Sequence, residues 1–455
     1  MNDSLKTIED LFTPSTASVA GLIEEFQNEI RRGLNEDNSS IAMHPSYVSR
    51  PTGREAGEFV ALDLGGSNVR ATVVELAGDG EVRMRRHAAF RLPRIDGEAA
   101  DLFDPIAEFI GGVLEEGRSY DLGFTFAFPT NQVAVNQGRL TKWTKEFAFR
   151  GVEGNDVAAL LTQSIARKAE TVTTLQSVSV TALANDTVGV LATGAYSDAR
   201  CDLGLIVGTG TNMAVAVDRR LVGRPLPPTV GNSDEMLFNM ECGNFDGVRS
   251  IQTPYDRTLD TESDSDGQLL EKMVSGRYLG EIVRLVVTGF GSGGNGFSDW
   301  SGPNSVFRLP YGFTTEHLSD VAYDESDELA GTGMLLKRLG VGTSEPNERR
   351  LFKKICLLVA GRSARMVAMS IAATTTYIDP RLESQHVIAV DGSLFRGYPG
   401  YQLEAQAGLQ EMLGNSSIEQ AQLSYVRDGS GIGAAIIAAV AGTCFPESCP
   451  PMREN

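Results

Sequence analysis

The chain has 455 residues, too many for one ordinary hydrophobic core, so two domains are expected. A net charge of −19 argues against nucleic acid or an anionic membrane surface as the main partner, although a local phosphate site remains compatible with it. Hydrophobic content of 42% with 22% charged residues describes a soluble globular protein, and 49 glycines, above the usual share of about 7%, point to tight turns or close approach of backbone to ligand.

From the N-terminus, Val19, Leu22, Ile23, Phe26 and Ile30 recur at helical spacing, with Ser15 to Ser18 as candidate N-caps. Residues 38–57, rich in Ser, Pro and Gly, read as a loop. "FVALDLGGSNVRATVVEL" (Phe59 to Leu76) then sets two apolar, β-branched strands around a polar bend. "SYDLGFTFAFPTNQ" is a buried strand ended by Pro129, "LLTQSIARKAE" is helical, and "SVSVTALANDTVGVLATGAY" reads strand, turn at Asn185-Asp186, helix. "CDLGLIVGTGTNMAVAVDRRL" repeats the first hairpin's design, and two such hairpins in separate β-rich blocks suggest two similar lobes. Residues 267–289 are expected as one helix and 290–304 as a mobile loop. "LFKKICLLVAGRSARMVAMSIAAT" reads as a long core helix and "HVIAVDGSLF" as a strand ending in a glycine turn. "VRDGSGIGAAIIAAVAG" reads as a glycine loop before a small-residue helix at 433–441. Alternating strands and helices give an α/β protein.

Cys201, Cys242, Cys356, Cys444 and Cys449 are few, scattered and odd in number, which favours a reducing compartment; Cys444 and Cys449 could pair in the tail. None of the four histidines is spaced with cysteine as a zinc site. No stretch reaches the ~20 apolar residues of a membrane span. The N-terminus shows no basic region followed by an apolar one. A cytoplasmic location is the expectation.

Bends of this kind expose backbone N–H groups to an anion, and an acid beside them suits a hydrated Mg²⁺ that carries phosphate. Asp63, Gly65, Gly66, Ser67 and Asn68 supply the first bend, and Gly208, Thr209, Gly210 and Thr211 the second. Either alone is also an ordinary tight turn. Gly429 and Ser430 before a helix would suit a nucleotide, or simply close packing. Asn185 and Asp186 are good N-cap residues and equally a candidate carboxylate base at a lobe junction. Thr144 and Lys145 after a Trp, Glu241 in "LFNMECGNFDG" and Glu271 in "DGQLLEKMVSGRYLGE" read in isolation as surface positions.

Taken together and in order, "LDLGGSNVR", "LGFTFAFP", "NQGRLTKWTKEF", "ANDTVG", "GLIVGTGTN", "NMECGNFDG", "VDGSLFRGYP" and "DGSGIGAA" resemble the hexokinase family of the actin/Hsp70-type ATPase fold, over about residues 20–441. The resemblance implies a two-lobed α/β, ribonuclease H-like architecture with an interlobe cleft. Residues 1–51 would belong to the large lobe, 52–184 to the small lobe, 185–431 to the large lobe, and 432–455 to a helix returning to the small lobe, plus a tail. It implies ATP and Mg²⁺, with Asp63 holding the metal through water and the two bends gripping phosphates. Asp186 would be the general base for the sugar 6-hydroxyl and Lys145 a nearby positive charge. Thr144, Asn185, Asn212, Glu241 and Glu271 match the family's hydroxyl-binding positions, while Gly429 and Ser430 fall near the adenosine and α-phosphate. Neither nucleic acid nor membrane is an implied partner, and a monomer or homodimer is expected.

Departures from the family pattern are Ser67 for Thr, Ala127 for Ser, Cys242 for Trp and Ile432 for a cation. Loss of volume at Ala127 and Cys242, close to sugar positions, leans the reading towards an N-acetylhexosamine such as N-acetylglucosamine over glucose. The competing reading is a weakly active or non-catalytic hexokinase-like sugar sensor.

Overall fold

The two glycine-bend hairpins lie at the centres of two separate sheets. The computed structural model describes residues 2–36, 38–144, 146–226, 229–231, 234–263, 265–292, 297, 300, 302–414 and 420–442. The smaller sheet has five strands in the order Val178–Ala184, Tyr120–Phe126, Ala56–Leu64, Asn68–Ala77, Val82–Arg91. The larger has six: Ala421–Tyr425, His386–Asp391, Cys201–Val207, Thr211–Asp218, Glu235–Asn239, His44–Pro45. In both, the strand entering the bend has parallel strands on one side and antiparallel strands on the other. The sequence repeat is therefore a repeat of topology, and the molecule is a two-lobed α/β structure of actin-like type.

Val60 to Leu64 are all buried, which requires cover on both faces of their strand. Helices Ala99–Val113 and Val157–Lys168 form a core with one face. The other is covered by the helix Gly429–Gly442, which also packs on the hinge helix Asp186–Ser197. That packing is backbone on backbone. A Cβ on Gly433 would lie 2.0 Å from the Gly189 carbonyl oxygen, and one on Gly123 only 1.8 Å from that of Ala434. The Gly/Ala run is thus a packing surface. Its helix starts at Gly429, so Gly429, Ser430 and Gly431 form the first turn rather than a loop ahead of residue 433.

The larger lobe is built around the helix Pro346–Ile378, whose apolar window is long enough to cross a membrane but is 78% buried inside the protein. Arg362 on this helix makes a bidentate pair with Asp256 at 2.6 and 2.7 Å, and its guanidinium lies 4.6 Å from the Phe12 ring centroid. Phe12 ends the helix Asn2–Phe12, so the N-terminal segment closes this lobe's core.

Three expectations need correction. The helix expected over 267–289 is two helices, Leu269–Val274 and Gly276–Ser292, separated at the extended Ser275. The loop 38–57 contains the short strand His44–Pro45, which pairs with Phe238 and Asn239. Of the segment 290–304, residues 293–296, 298, 299 and 301 lie outside the described residues, but Phe297 and Trp300 are buried in an aromatic cluster with Phe307 and Phe352, so mobility does not describe the whole of it. Cys444 and Cys449 also lie outside the described residues, while Cys201, Cys242 and Cys356 are buried free thiols.

Candidate active site

The first bend is anchored by an ion cluster that reaches both lobes. Asp63, 5% exposed, stands opposite Arg70 in the hairpin register. Arg70 donates to Asp63 Oδ2 from Nε at 3.1 Å and from Nη2 at 2.5 Å, and Nη1 reaches Asp428 Oδ1 at 2.9 Å. Burial works against the guanidinium charge, but Asp63, then Asp428 and Asp391, raise its pKa. Asp391 ends the large-lobe strand, as Asp63 nearly ends the small-lobe one. Its Oδ2 accepts the Gly429 N–H at 3.0 Å, and burial pushes its pKa up, assisted by the charge of Asp428. Arg70, Asp391 and Asp428 were missed by sequence reasoning. The available signal was a lone cation in an apolar strand and an acid before a glycine in "AVDGS" that mirrors "ALDLGG". Arg91, exposed, is the register partner of Asn68 and adds a cation beside the bend. Gly66 would carry a Cβ with nothing within 4 Å, so the bend is open to a ligand.

The second bend is gripped by the broken helix. Gly208 O accepts the Gly276 N–H at 2.8 Å, and Thr209 O accepts that of Arg277 at 3.2 Å. The interruption at Ser275 frees these two donors, since N–H groups in a first helical turn have no partner within their own helix. One turn earlier, Glu271 Oε2 accepts the Thr211 N–H at 3.0 Å. Glu271, expected on the sugar, therefore touches the second bend.

Asn212 and Glu241 are joined through Asn239. Asn212 Nδ2 donates to Asn239 Oδ1 at 2.8 Å, and Asn239 Nδ2 donates to Glu241 Oε1 at 2.7 Å. Glu241 itself has left-handed backbone angles (φ 53°, ψ 38°), a strained conformation of the kind retained where surroundings fix it. Burial raises its pKa, and the Asn239 hydrogen bond opposes that rise. Cys242 is 2% exposed and belongs to the large-lobe core.

Asn185 and Asp186 occupy the crossing from the small-lobe strand Val178–Ala184 to the hinge helix, which packs on large-lobe strands. Asn185 is the N-cap, accepting the Thr187 N–H at 2.9 Å, and Asp186 Oδ1 accepts it at 2.8 Å. The capping reading of Asn185 thus holds, and Asp186 is half-buried at the lobe junction. Thr144 is exposed next to Trp143, whose Nε1 donates to Phe149 O at 2.9 Å within an aromatic cluster. Lys145 lies outside the described residues. Gly429 has its N–H occupied by Asp391, and Ser430 is 9% exposed, with its carbonyl accepting Thr125 Oγ1 at 2.9 Å. Among the described residues, no group of three or more metal-ligating side chains converges.

Two lobes of one topology, with a glycine bend in each and amides and carboxylates gathered at the larger lobe's bend, give the arrangement of the actin-like fold. Two family models, each described as Hexokinase, match residues 4–196 and 202–440. The Kluyveromyces lactis hexokinase is 36% identical over 96% of this chain and 91% of its own, and Saccharomyces cerevisiae hexokinase-1 is 33% identical over 96% and 92%. The structure of Schistosoma mansoni hexokinase complexed with glucose superposes with a TM-score of 0.82 at 32% identity, covering 96% of this chain and 98% of that one. The chain belongs to the hexokinase family, whose activity is ATP-dependent phosphorylation of hexoses.

Proposed function

We propose that the chain transfers the γ-phosphate of ATP to the 6-hydroxyl of a hexose, with Asp186 as general base, across a cleft between residues 52–184 and 185–431. The observation that carries this reading is Glu271 on the Thr211 N–H, because it ties a sugar-binding carboxylate directly to a phosphate-binding bend. Phosphoryl transfer asks a protein mainly for positioning and charge neutralisation, and this contact supplies relative position. Asp186 must come within hydrogen-bond reach of the hydroxyl it deprotonates, and its place at the lobe crossing suits that. Thr144, Asn185, Asn212, Glu241 and Glu271 would pair the remaining hydroxyls, and Lys145 would add charge near the transferred group.

The oxygen donors fit Mg²⁺, a hard cation: Asp63 would hold it through water, with Asp391 close by. Bound there, Mg²⁺ supplies charge neutralisation on the phosphates. The bends Gly65 to Asn68 and Gly208 to Thr211 would flank the phosphates themselves, the Thr211 N–H being held by Glu271 and the Gly208 N–H by the Gly210 carbonyl. Gly429, its N–H already used by Asp391, would contribute close approach rather than a donor. The Cys242 thiol is buried in the core beside Glu241 and Glu271. Glucose, the sugar in the Schistosoma mansoni hexokinase complex, is the leading substrate in this reading.

A coupled ADP-release assay with Mg-ATP and a panel of glucose, mannose, fructose and N-acetylglucosamine tests the substrate. Asp186→Ala is expected to lower turnover by about 10²- to 10⁴-fold while sugar binding, read by calorimetry, survives. An active Asp186→Ala enzyme removes the mechanism. A wild-type chain that binds sugar without phosphorylating it supports the sensor reading instead.

A further inference from the structure

We infer that Asn239 is a positioning residue for the sugar site, orienting Glu241 and Asn212 together; this rests on the sugar-binding roles proposed above for those two residues. The polarity of the chain of hydrogen bonds is fixed from one end. The Met213 backbone N–H donates to Asn212 Oδ1 at 2.7 Å, and a backbone N–H has no acceptor role. Asn212 must therefore turn its NH₂ to Asn239, which accepts at 2.8 Å through Oδ1. Asn239 is left with its own NH₂ facing Glu241 Oε1 at 2.7 Å. Asn239 Oδ1 also accepts the Glu241 backbone N–H at 3.3 Å, so one amide holds both the main chain and the side chain of a left-handed residue.

The consequence is chemical. A carboxylate that receives an N–H on Oε1 presents Oε2 as an acceptor to a ligand hydroxyl, and only the ionised form accepts on both oxygens. Burial favours the protonated form of Glu241, and the Asn239 amide is the hydrogen bond that opposes it. The other titratable groups packed here are Glu271 and the Cys242 thiol, whose pKa is pushed up by burial and by both carboxylates. Glu271 is itself held by the Thr211 N–H, and neither group supplies a compensating positive charge. Asn239 is 9% exposed, which keeps water from replacing its amide.

Asn239→Asp is nearly isosteric and exchanges the donor for a second acceptor. Calorimetric titration with glucose reads binding independently of turnover, and the coupled assay reads kcat and KM. For Asn239→Asp at pH 8, the glucose Kd and KM should rise by about 10- to 100-fold, while kcat and the KM for ATP stay within a few-fold. On lowering the pH to 6, the variant should regain affinity, because two adjacent carboxylates share a proton and the donor is restored. The wild type, which keeps the amide donor, should show no such gain on acidification. Asn239→Ala should show the raised KM without that gain, and thermal unfolding of both variants checks that they fold. Wild-type glucose affinity in both variants, or a loss shared equally by kcat and both KM values with no pH signature, overturns the inference. A wild type that binds glucose but does not phosphorylate it removes the kinase reading and leaves this inference standing. A wild type that binds no sugar overturns both.

Discussion

At the scale of single residues, the site is a set of contacts in which each polar group serves two neighbours. Glu271 is the clearest case, because a residue proposed to bind sugar also holds the backbone of the bend proposed to hold phosphate. Gly210 lies directly against it: a Cβ at this position would meet Glu271 Oε2 at 3.0 Å, closer than side chains normally tolerate. Gly210→Ala is therefore expected to raise the sugar KM about 5- to 50-fold, comparable to losing one hydrogen bond to a charged group, although Gly210 itself sits in the nucleotide bend. Steady-state kinetics with glucose and ATP varied separately checks this. A change confined to the KM for ATP would show that Glu271 does not couple the two substrates.

Among elements, the junction of the parallel strands Cys201–Val207 and His386–Asp391 carries a buried histidine between two carboxylates. His386 Nδ1 lies 2.5 Å from Asp202 Oδ2, and Nε2 lies 3.3 Å from Asp379 Oδ2. Burial alone would lower the imidazole pKa, but Asp202 and then Asp379 outweigh it, so the folded value is raised. The stabilising contribution is then full below the unfolded value of about 6.5 and disappears as pH climbs through the raised folded value. Thermal unfolding between pH 5.5 and 9 should show this fall in the wild type, and the difference from His386→Gln should shrink over the same window. A pH-independent difference between the two proteins would mean that the charge plays no part. The contact pins the start of two strands that end at Val207, just before the bend, and at Asp391, so it holds the register on which both site segments depend.

On the scale of the whole molecule, the lobes meet through the hinge helix Asp186–Ser197 and the helix Gly429–Gly442, and through the cluster of Asp63, Arg70, Asp391 and Asp428. Water carries a hydroxyl as a hexose does, so a permanently assembled site would hydrolyse ATP. Closure on the sugar would assemble the bends around phosphate only when substrate is present. ATP hydrolysis without sugar is expected to run at least about 10³-fold below the kinase rate, and small-angle scattering should show a smaller radius of gyration with saturating glucose. Equal hydrolysis rates with and without sugar, or an unchanged radius, would remove lobe closure from the mechanism.

The ordered motifs alone determined the α/β class, the duplication of the glycine hairpins, the positions of Asn185 and Asp186 at a helix start, and the family; Asp63, read at the bend, proved to lie within the strand that enters it. These are local properties, fixed by alternation of apolar residues, by glycine at a bend and by cap chemistry within a few residues. The tertiary structure alone decided what those residues touch. "GSGIGAA" reads as a nucleotide loop or as a packing helix, and the approach of Gly433 to Gly189 shows that the segment is helical and closely packed, whatever its first turn binds. The helix expected over 267–289 has unbroken periodicity, and only the carbonyls of Gly208 and Thr209, distant in sequence, give Gly276 and Arg277 a reason to leave it. Arg70, Asn239 and Asp391 carry no motif signal strong enough to single them out, because their partners come from other strands and from the last helix. A hydrogen bond between distant segments depends on the register of whole sheets, and that register is a property of the folded chain.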